Sequence, residues 1–320
     1  MKTEDSVAAG EIMITDTVWN PAEQEDAIAA IMTAMNVKRE EIIDITVLKK
    51  GMTNRSFLFR CKGEAYIMRV PGEGTEQLIN REEEYAVYQT LEGKGICDRV
   101  IYIDPKNGFK ITRFYENTRV CDPLDPEDVR KCMKKLREFH ERRLVVPHTF
   151  DLFGLIQHYE ELWDGRPSAY ADYAETKERV FSLRAYIESH VEERILTHID
   201  AVPDNFLIFP NDQGGESIRL IDWEYAGMQD PHMDVAMFCI YALYDREHIE
   251  ALIDAYFTEG CRPEIRIKIY CYIAACGLLW SNWCEYKRIF GLEFGDYTLG
   301  QYRYARDYYS IAMEEMERIG

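Results

Sequence analysis

Hydrophobic and polar positions follow a strand-like pattern in the first third of the chain. Between residues 45 and 72, two apolar runs rich in β-forming residues flank Gly51, and a third run, AYIMRV, follows them. Such runs between turn residues are typical of strands, so this segment predicts an antiparallel meander. The segment 99–115 predicts a further hairpin that turns at Asn107-Gly108.

Helical spacing of apolar residues surrounds and follows these strands. One helix is predicted over residues 20–37, where Asn20 can cap the first turn and Pro21 suits its first position. A second is predicted over 79–96 and ends near the glycines there. From about residue 126 onward helical spacing dominates. The predicted helices there cover residues 126–143, 151–163, 172–194, 233–244, 246–259, 262–290 and 298–318.

This change of pattern indicates two domains. A sheet-rich part of roughly a hundred residues precedes a mainly helical part, and both fall within the usual range of domain sizes. The Pro- and Asp-containing stretch between Tyr115 and Pro126 suits a connector. We therefore predict domains at residues 1–115 and 116–320 of the 320-residue chain.

Composition and charge exclude several classes of protein. The formal net charge of -19 argues against a nucleic-acid partner and favours a cationic small molecule. The longest apolar run, residues 269–280, is too short to span a bilayer, and the N-terminus lacks the pattern of a signal peptide. Nine cysteines without a CxxC pair suit small buried side chains in a reducing compartment. We expect a cytoplasmic protein that does not insert into a membrane.

Two strand-like segments, THIDAVPDNFLIF and IRLIDWEY, carry acidic and amide side chains that ordinary buried strands avoid. The order His198-x-Asp200, four residues, Asn205, a strand and then Asp222 matches the catalytic loop and metal-binding Asp of kinase-like phosphotransferases. Asp200 would be the base that takes the proton of the attacking hydroxyl. Asn205 and Asp222 would hold Mg²⁺, His198 would support the loop, and Glu224 would reach a second metal.

A structural explanation of these residues is also open. Asp200 and Asp204 would then be turn residues, and Asp222 would end an edge strand. A lone HxD would favour that explanation. The ordered set, with a strand inside it and a sheet-rich domain before it, favours the phosphotransferase interpretation.

Several motifs together resemble a known family. HIDAVPDN and LIDWEYAG resemble the Brenner-type motif and metal-binding Asp of the superfamily of choline/ethanolamine kinases and aminoglycoside phosphotransferases. LKKGMTNRSFLF resembles the nucleotide loop of choline kinases, and AYIMRVPG resembles their strand ending in Arg. WSNWCEYKRIFGLEFGDY resembles their late Trp-x-x-Trp helix with its EFG turn. The resemblance runs from about residue 45 to 310 and is strongest to choline kinases of the bacterial type.

The resemblance implies an α+β, protein-kinase-like two-lobed fold with an N-terminal antiparallel sheet lobe and a mainly helical C-terminal lobe. It implies that Arg69 contacts the α- and β-phosphates of ATP and pairs with Glu84. The adenine would lie near residues 111–115, a segment that taken alone is equally a plain edge strand. The residues implied to contact ATP are Thr53, Asn54, Ser56, Arg69, Glu84, Arg113 and Tyr115.

An aromatic cage for the alcohol is a further prediction. Trp280 and Trp283 are three residues apart on a predicted helix, so their side chains can meet one substrate, although aromatic residues on a helix are more often core. The resemblance favours a cage, because ring faces hold a quaternary ammonium by cation–π attraction. The complete predicted cage is Asp200, Tyr241, Tyr244, Trp280, Trp283 and Tyr297.

The chain departs from related patterns in three places. A protein-kinase G-x-G-x-x-G loop is missing, and Asp222-Trp223-Glu224 stands where such kinases carry DFG. Eukaryotic choline kinases carry an acid seven residues after the position of Asp234, where this chain has Tyr241. The first two departures count against a protein kinase, and the third puts a carboxylate in the substrate cage in doubt.

We therefore expect ATP- and Mg²⁺-dependent phosphorylation of the hydroxyl of choline. Ethanolamine and aminoglycosides are the alternative acceptors. A catalytically silent protein that holds a choline-type ligand is the alternative outside enzymes, and a partner-binding helical module would leave the acidic residues unexplained. The oligomeric state is left open.

Overall fold

The computed structural model describes residues 21–48, 54–72, 74–211 and 213–320. Contacts divide the chain into two compact units. The first unit contains the residues up to Cys121 together with Asp204–Tyr225, and the second contains Asp122–Pro203 and Ala226–Gly320. The predicted domains, 1–115 and 116–320, assign the segment 204–225 differently. This segment belongs with the sheet-rich unit although the first part of the helical unit, Asp122–Pro203, precedes it in the chain.

A five-stranded antiparallel sheet with two helices forms the main part of the first unit. The order of the strands across the sheet is β1-β2-β3-β5-β4. The elements are α1 (Pro21–Met35), β1 (Ile43–Val47), β2 (Asn54–Cys61), β3 (Glu64–Pro71), α2 (Arg81–Leu91), β4 (Val100–Ile103) and β5 (Lys110–Arg113). β1, β2 and β3 are consecutive antiparallel neighbours, so the predicted meander is confirmed.

Local chemistry explains where these elements turn and begin. Gly108 adopts a left-handed φ of 71°, which costs glycine little, and the Asn107 side chain accepts a hydrogen bond from the Phe109 N–H at 2.9 Å. The hairpin predicted at Asn107-Gly108 is confirmed by the antiparallel pairing of β4 and β5. Asn80 caps α2 by accepting from the N–H groups of Glu82 and Glu83. The predicted cap at Asn20 lies outside the described residues.

The core of the first unit lies between α1 and one face of the sheet. Alternate residues of β2 and β3, such as Phe57, Phe59 and Met68, face it and are at most 1% exposed. From α1, Ala27 and Ile31 pack against them. Burial of this apolar face fixes the register of the strands, because a slip of one residue would turn the other face inward.

The segment 204–225 adds a hairpin to this unit. It contains a 3-10 turn, Pro203–Asn205, whose first residue belongs to the second unit, then β7 (Phe206–Pro210) and β8 (Glu216–Leu220). Leu220 forms a parallel bridge to Cys97, and its N–H donates to the Ile96 carbonyl at 3.0 Å. The strands predicted around LIF and IRL are therefore present, and their pairing brings the ends of both strands together.

The second unit is mainly helical, as the sequence predicts. Its strands β6 (Ile195–Thr197) and β9 (Gly227–Gln229) pair antiparallel. Its helices are α3 (Pro126–His140), α4 (Leu152–Glu161), α5 (Tyr173–Ser182), α6 (Arg184–Ser189), α7 (His232–Tyr241), α8 (Arg246–Tyr256), α9 (Pro263–Arg288) and α10 (Asp296–Ile319).

One predicted helix, 172–194, is wrong as a single element. It divides into α5 and α6 at Leu183, whose N–H bonds to Val180 three residues back instead of four. The Ser182 hydroxyl also donates to the Arg179 carbonyl at 2.6 Å, which offers the backbone an alternative to the helical ladder. α6 ends at Ser189, so the prediction runs five residues too far.

The long helix α9 is the centre of the second unit. Its residues from Ile267 to Lys287 are buried throughout, and α4, α7 and α10 pack around it. A helix that is apolar on all sides is expected at the core of a large helical domain. Among the described helices, none is both long enough and apolar enough to cross a membrane.

Candidate active site

A buried ion pair between β3 and α2 is the first element of the site. Arg69 on β3 and Glu84 on α2 form a bidentate pair, with Nη1–Oε1 at 2.6 Å and Nη2–Oε2 at 2.8 Å. The Glu84 side chain is fully buried and that of Arg69 nearly so. The structure thus brings together the two residues whose pairing the family resemblance implies.

Other groups complete the surroundings of this pair. The Arg69 guanidinium donates to the Gly108 carbonyl at 3.1 Å, and Lys110 lies 3.4 Å from Glu84 and donates to the Tyr88 hydroxyl at 2.7 Å. Burial opposes the charge of each partner, but the neighbouring cations, Arg69 first, hold the pKa of Glu84 well below its usual range. The facing carboxylates likewise raise the pKa of Arg69 despite its burial, so both groups are charged near pH 7.

Asp222 lies beside this pair at the end of the β8 segment. Its carboxylate is 3.8 Å from Arg69 Nη1 and its side chain is 39% exposed, so its oxygens are open to a ligand. Its φ is 64°, a left-handed conformation that Asp tolerates better than most residues. The Ile221 N–H donates to the Asn205 carbonyl at 3.0 Å. This bond holds Asn205 next to the segment that carries Asp222.

Glu224 occupies the opposite environment from Asp222. Its side chain is only 1% exposed, and its Oε2 accepts hydrogen bonds from Asn54 Nδ2 at 2.8 Å, Arg81 Nη1 at 3.0 Å and Arg69 Nη1 at 3.4 Å. Burial, followed by the charge of Asp222, raises the pKa of Glu224. The predicted role of Glu224 in binding a second metal therefore meets a carboxylate whose Oε2 already accepts three protein donors.

The remaining residues implied to contact ATP are spread over the first unit. Ser56 pairs with Arg69 across β2 and β3, and Arg113 forms an ion pair with Glu64. Tyr115 stacks on Phe209, with ring centroids 5.1 Å apart. Thr53 lies outside the described residues. Contact of these side chains with a nucleotide stays a prediction.

The loop with Asp200 belongs to the second unit and is held by a buried carboxylate of α7. Asp234, which is completely buried, accepts from the backbone N–H groups of His198 at 2.9 Å and Ile199 at 2.7 Å. Ile199 has a φ of 68°, which is strained for a β-branched residue and persists because Asp234 holds both of these N–H groups. The backbone that Asp234 holds in this way leads directly into Asp200.

A relay of polar groups supports Asp234 in turn. His140 on α3 contacts Asp234 Oδ2, the oxygen that also accepts from the His198 N–H, through Nε2 at 2.9 Å, and its Nδ1 contacts the Tyr256 hydroxyl at 2.8 Å. All three side chains are buried, so each needs these partners. Asp234, together with His140 and Tyr256, thus holds the backbone that precedes Asp200, the predicted base.

Four of the predicted cage rings pack against one another in pairs. Trp280 and Trp283 meet edge to face with centroids 5.7 Å apart, and Tyr241 meets Tyr297 at 5.8 Å. Burial is the main reason that the pKa of Tyr297 is raised, and the charges of Cys284 and Asp200 contribute. That effect requires Asp200 to lie near this ring.

Tyr244, also predicted for the cage, packs against rings that are not part of the predicted cage. Its ring packs against Phe238 and His248, and its hydroxyl donates to the Pro123 carbonyl. α7 ends at Tyr241, and Leu243 has a φ of 53°, so the chain turns before Tyr244. Its place in the cage stays a prediction that none of these contacts supports.

Two contacts around Trp283 lie outside the sequence prediction. Phe294, from the EFG turn, packs on Trp283 with centroids 5.1 Å apart. Lys287, one helical turn after Trp283, places its ammonium 5.5 Å from the ring centroid. The Trp283 indole N–H is buried without a hydrogen-bond acceptor among the described residues. The Trp283 ring therefore already lies near the Lys287 ammonium, and its indole N–H remains available to an acceptor from outside the described residues.

The residues present fit a nucleotide phosphate and a metal ion. Arg69 Nε–H is buried and has no acceptor among the described residues, although its terminal nitrogens are engaged. A phosphate oxygen, like a carboxylate oxygen, suits a guanidinium N–H as its acceptor. Within the described residues no three His, Cys, Asp or Glu side chains group as a metal site. A kinase metal site does not need such a group, since one carboxylate, one amide oxygen and the phosphates supply its ligands.

Comparison with known proteins identifies the family. The family model described as choline/ethanolamine kinase matches residues 45–259, about two thirds of the sequence. The chain belongs to the choline/ethanolamine kinase family. It is therefore a kinase that transfers a phosphoryl group to an alcohol, as the sequence predicts.

Relatives and solved structures agree with this assignment. Protein LicA of Haemophilus influenzae (strain ATCC 51907 / DSM 11121 / KW20 / Rd) is 27% identical over 261 residues, covering 78% of this chain and 95% of LicA. The choline kinase LicA of Streptococcus pneumoniae is 27% identical with a TM-score of 0.77, covering 90% of this chain and 99% of the other. A structure of LicA in complex with AMP is 27% identical with a TM-score of 0.76, covering 90% of this chain and 98% of the other.

A more distant solved structure shares the fold. An aminoglycoside phosphotransferase is 16% identical with a TM-score of 0.61, covering 87% of this chain and 98% of the other. The expected α+β, protein-kinase-like fold is thus confirmed. At this identity the likeness concerns the fold alone.

Sequence reasoning missed Arg81, His140 and the holding role of Asp234. Arg81 stands directly after the helix cap Asn80, where a charged residue signals only a solvated helix start. His140 ends a predicted helix, and a basic residue there is ordinary. Asp234 lies in PHMDVAMF, where an acid inside an apolar run was the one available signal.

Proposed function

We propose that this chain phosphorylates choline with ATP as donor and Mg²⁺ as cofactor. The observation that carries the proposal is the buried Arg69, bidentate on Glu84, whose Nε–H has no acceptor among the described residues, with the exposed carboxylate of Asp222 at 3.8 Å. This set has the donor and acceptor chemistry that the phosphates of a nucleotide and their metal ion require.

The reaction follows from these roles. The choline hydroxyl oxygen attacks the γ-phosphorus, the bond from that phosphorus to the β–γ bridging oxygen breaks, and ADP leaves. Asp200 takes the hydroxyl proton, and Arg69 holds the phosphates of the donor. Mg²⁺, when bound through Asn205 and Asp222, would offset negative charge on the phosphates.

Choline is favoured over a primary amine by the kind of groups in the second unit. The predicted cage is dominated by rings, including the edge-to-face pair Trp280 and Trp283. A trimethylammonium group cannot donate N–H hydrogen bonds and is held by ring faces, whereas an ammonium group needs acceptors. The similarity to LicA choline kinase points the same way.

An ATP-consumption assay tests the proposal. We expect turnover that depends on both Mg²⁺ and choline, with a lower kcat/KM for ethanolamine and none for aminoglycosides. Greater kcat/KM for ethanolamine would make it the acceptor. Choline binding without any turnover would instead identify a catalytically silent ligand-binding protein.

A further inference from the structure

Glu224 is the point where three segments of the first unit meet. Asn54 begins β2, Arg69 lies near the end of β3 and Arg81 opens α2, and all three donate to the same oxygen, Glu224 Oε2. Arg81 binds Glu84 as well, at 2.8 Å, and its other terminal nitrogen reaches Asn54 Oδ1 at 3.3 Å. Glu224 and Arg81 therefore cross-link the surroundings of Arg69.

This environment is unsuited to a metal ion. Mg²⁺ needs oxygen ligands at about 2.0–2.1 Å in a near-octahedral arrangement and keeps several waters. An ion at that distance from Glu224 Oε2 would displace donors and face the guanidinium groups of Arg69 and Arg81. The neighbouring Asp222 differs, since its carboxylate is 39% exposed and lies at the longer distance of 3.8 Å from Arg69.

Charge balance gives Glu224 a different task. Arg69, Arg81 and Lys110 bring three positive charges around Glu84, which alone offsets one of them. A buried charge without a partner is strongly destabilising, whereas a charge in a hydrogen-bonded network keeps one fixed geometry. Glu224 places a second buried carboxylate beside Arg69 and Arg81.

We propose that Glu224 and Arg81 form a clamp that positions Arg69 for the nucleotide phosphates, and that Glu224 is not a metal ligand. This inference rests on the proposed function. The clamp holds Arg69 Nη1 from one side while Glu84 holds both terminal nitrogens from the other. The guanidinium then keeps one orientation, which fixes the direction of the Nε–H that has no acceptor in the part of the chain that the structure describes.

Nucleotide affinity without metal separates the two roles of a carboxylate. In Glu224→Gln and in Arg81→Met, ADP measured by calorimetry with EDTA should bind at least about tenfold more weakly, the equivalent of one charge-assisted hydrogen bond at ~1.4 kcal/mol. The double variant should bind about as weakly as either single one, because both changes open the same clamp. Arg81→Lys should recover part of the affinity.

Metal affinity is the second readout. Electron paramagnetic resonance of Mn²⁺ added to the protein–ADP complex should show a dissociation constant within about threefold of wild type in Glu224→Gln. Asp222→Asn should weaken Mn²⁺ by more than tenfold, since it removes a direct ligand. Glu82 is an exposed carboxylate on α2, the helix that carries Arg81. Glu82→Gln serves as the control and should change neither the affinity for ADP nor that for Mn²⁺.

The outcomes decide between the roles. Loss of Mn²⁺ affinity in Glu224→Gln as large as in Asp222→Asn, with metal-free ADP binding unchanged, would overturn the clamp and make Glu224 a ligand. Additive losses of ADP affinity for Glu224→Gln and Arg81→Met would overturn it too. Thermal unfolding of each variant identifies any that fail to fold, for which Arg81→Lys replaces Arg81→Met. Failure of the proposed function would look different, because wild-type protein would then consume no ATP with choline.

Discussion

Individual side chains of this protein carry their function through neighbours that fix them. Asp200 follows Ile199, whose strained backbone is held by Asp234, and Arg69 is held by Glu84 and Glu224. Strained or buried charged groups of this kind persist where the surroundings determine their geometry. Substitutions at these positions should therefore affect chemistry and binding separately.

Replacement of Asp200 by Asn should lower kcat by at least about a hundredfold, the usual contribution of general base catalysis, while the KM for ATP changes little. The amide keeps the size of the side chain but cannot take the hydroxyl proton. Steady-state kinetics with choline and ATP measures both constants. Turnover within tenfold of wild type would show that another group is the base.

Replacement of Trp283 by Ala should raise the KM for choline at least about tenfold, because each ring face contributes ~0.5–2 kcal/mol to holding a quaternary ammonium. Its burial means that stability will also fall, by ~3–5 kcal/mol. The KM is measured by steady-state kinetics well below the unfolding temperature. Trp163→Ala is the matched control, since Trp163 is buried in the same unit but contacts Tyr173 and Asn282. If both variants shift the KM for choline equally, the effect is one of packing and Trp283 is core.

Among the elements, α9 and α10 pack closely against each other at Gly277. A Cβ placed on Gly277 of α9 would lie 2.6 Å from the Gln301 carbonyl oxygen and 3.0 Å from the Ala305 nitrogen. Both are backbone atoms of α10, so nothing flexible can move aside. Glycine at this position sets the spacing of the two helices on which the aromatic residues stand.

Gly277→Ala should therefore destabilise the protein by ~1–3 kcal/mol, as overpacking of a core does, despite the better helix propensity of alanine. The measurement is the midpoint of thermal unfolding followed by tryptophan fluorescence. Gly300→Ala on α10 is the control, because its Cβ would meet only the end of the Leu243 side chain, which is 45% exposed and can move. A melting temperature unchanged in Gly277→Ala would show that the helices separate without cost.

The molecule as a whole carries a large excess of negative charge. The formal net charge of -19 is spread over 57 acidic and 38 basic residues, and many exposed acids are paired with Arg or Lys. Exposed pairs contribute ~0–1 kcal/mol each, whereas an excess of one sign destabilises the compact state through self-repulsion.

Salt should accordingly stabilise this protein. Raising the ionic strength from about 0.01 to 0.15 M shortens the screening length from about 30 to 8 Å, which weakens long-range repulsion more than contacts at close range. We expect the melting temperature to rise in sodium chloride at constant pH. A lower melting temperature would mean that the attractive pairs outweigh the excess of acids.

The sequence alone determined the strands and most helices, because burial of one face imposes a period that is visible in the residues. It also determined the ordered set of Asp200, Asn205 and Asp222, since these residues lie close together along the chain and their spacing is visible in it. The tertiary structure decided what depends on distant residues. The segment 204–225 joined the sheet-rich unit through the bridge of Leu220 to Cys97. The Arg81–Glu224 contact spans 143 positions, and no local pattern predicts which buried charges will meet.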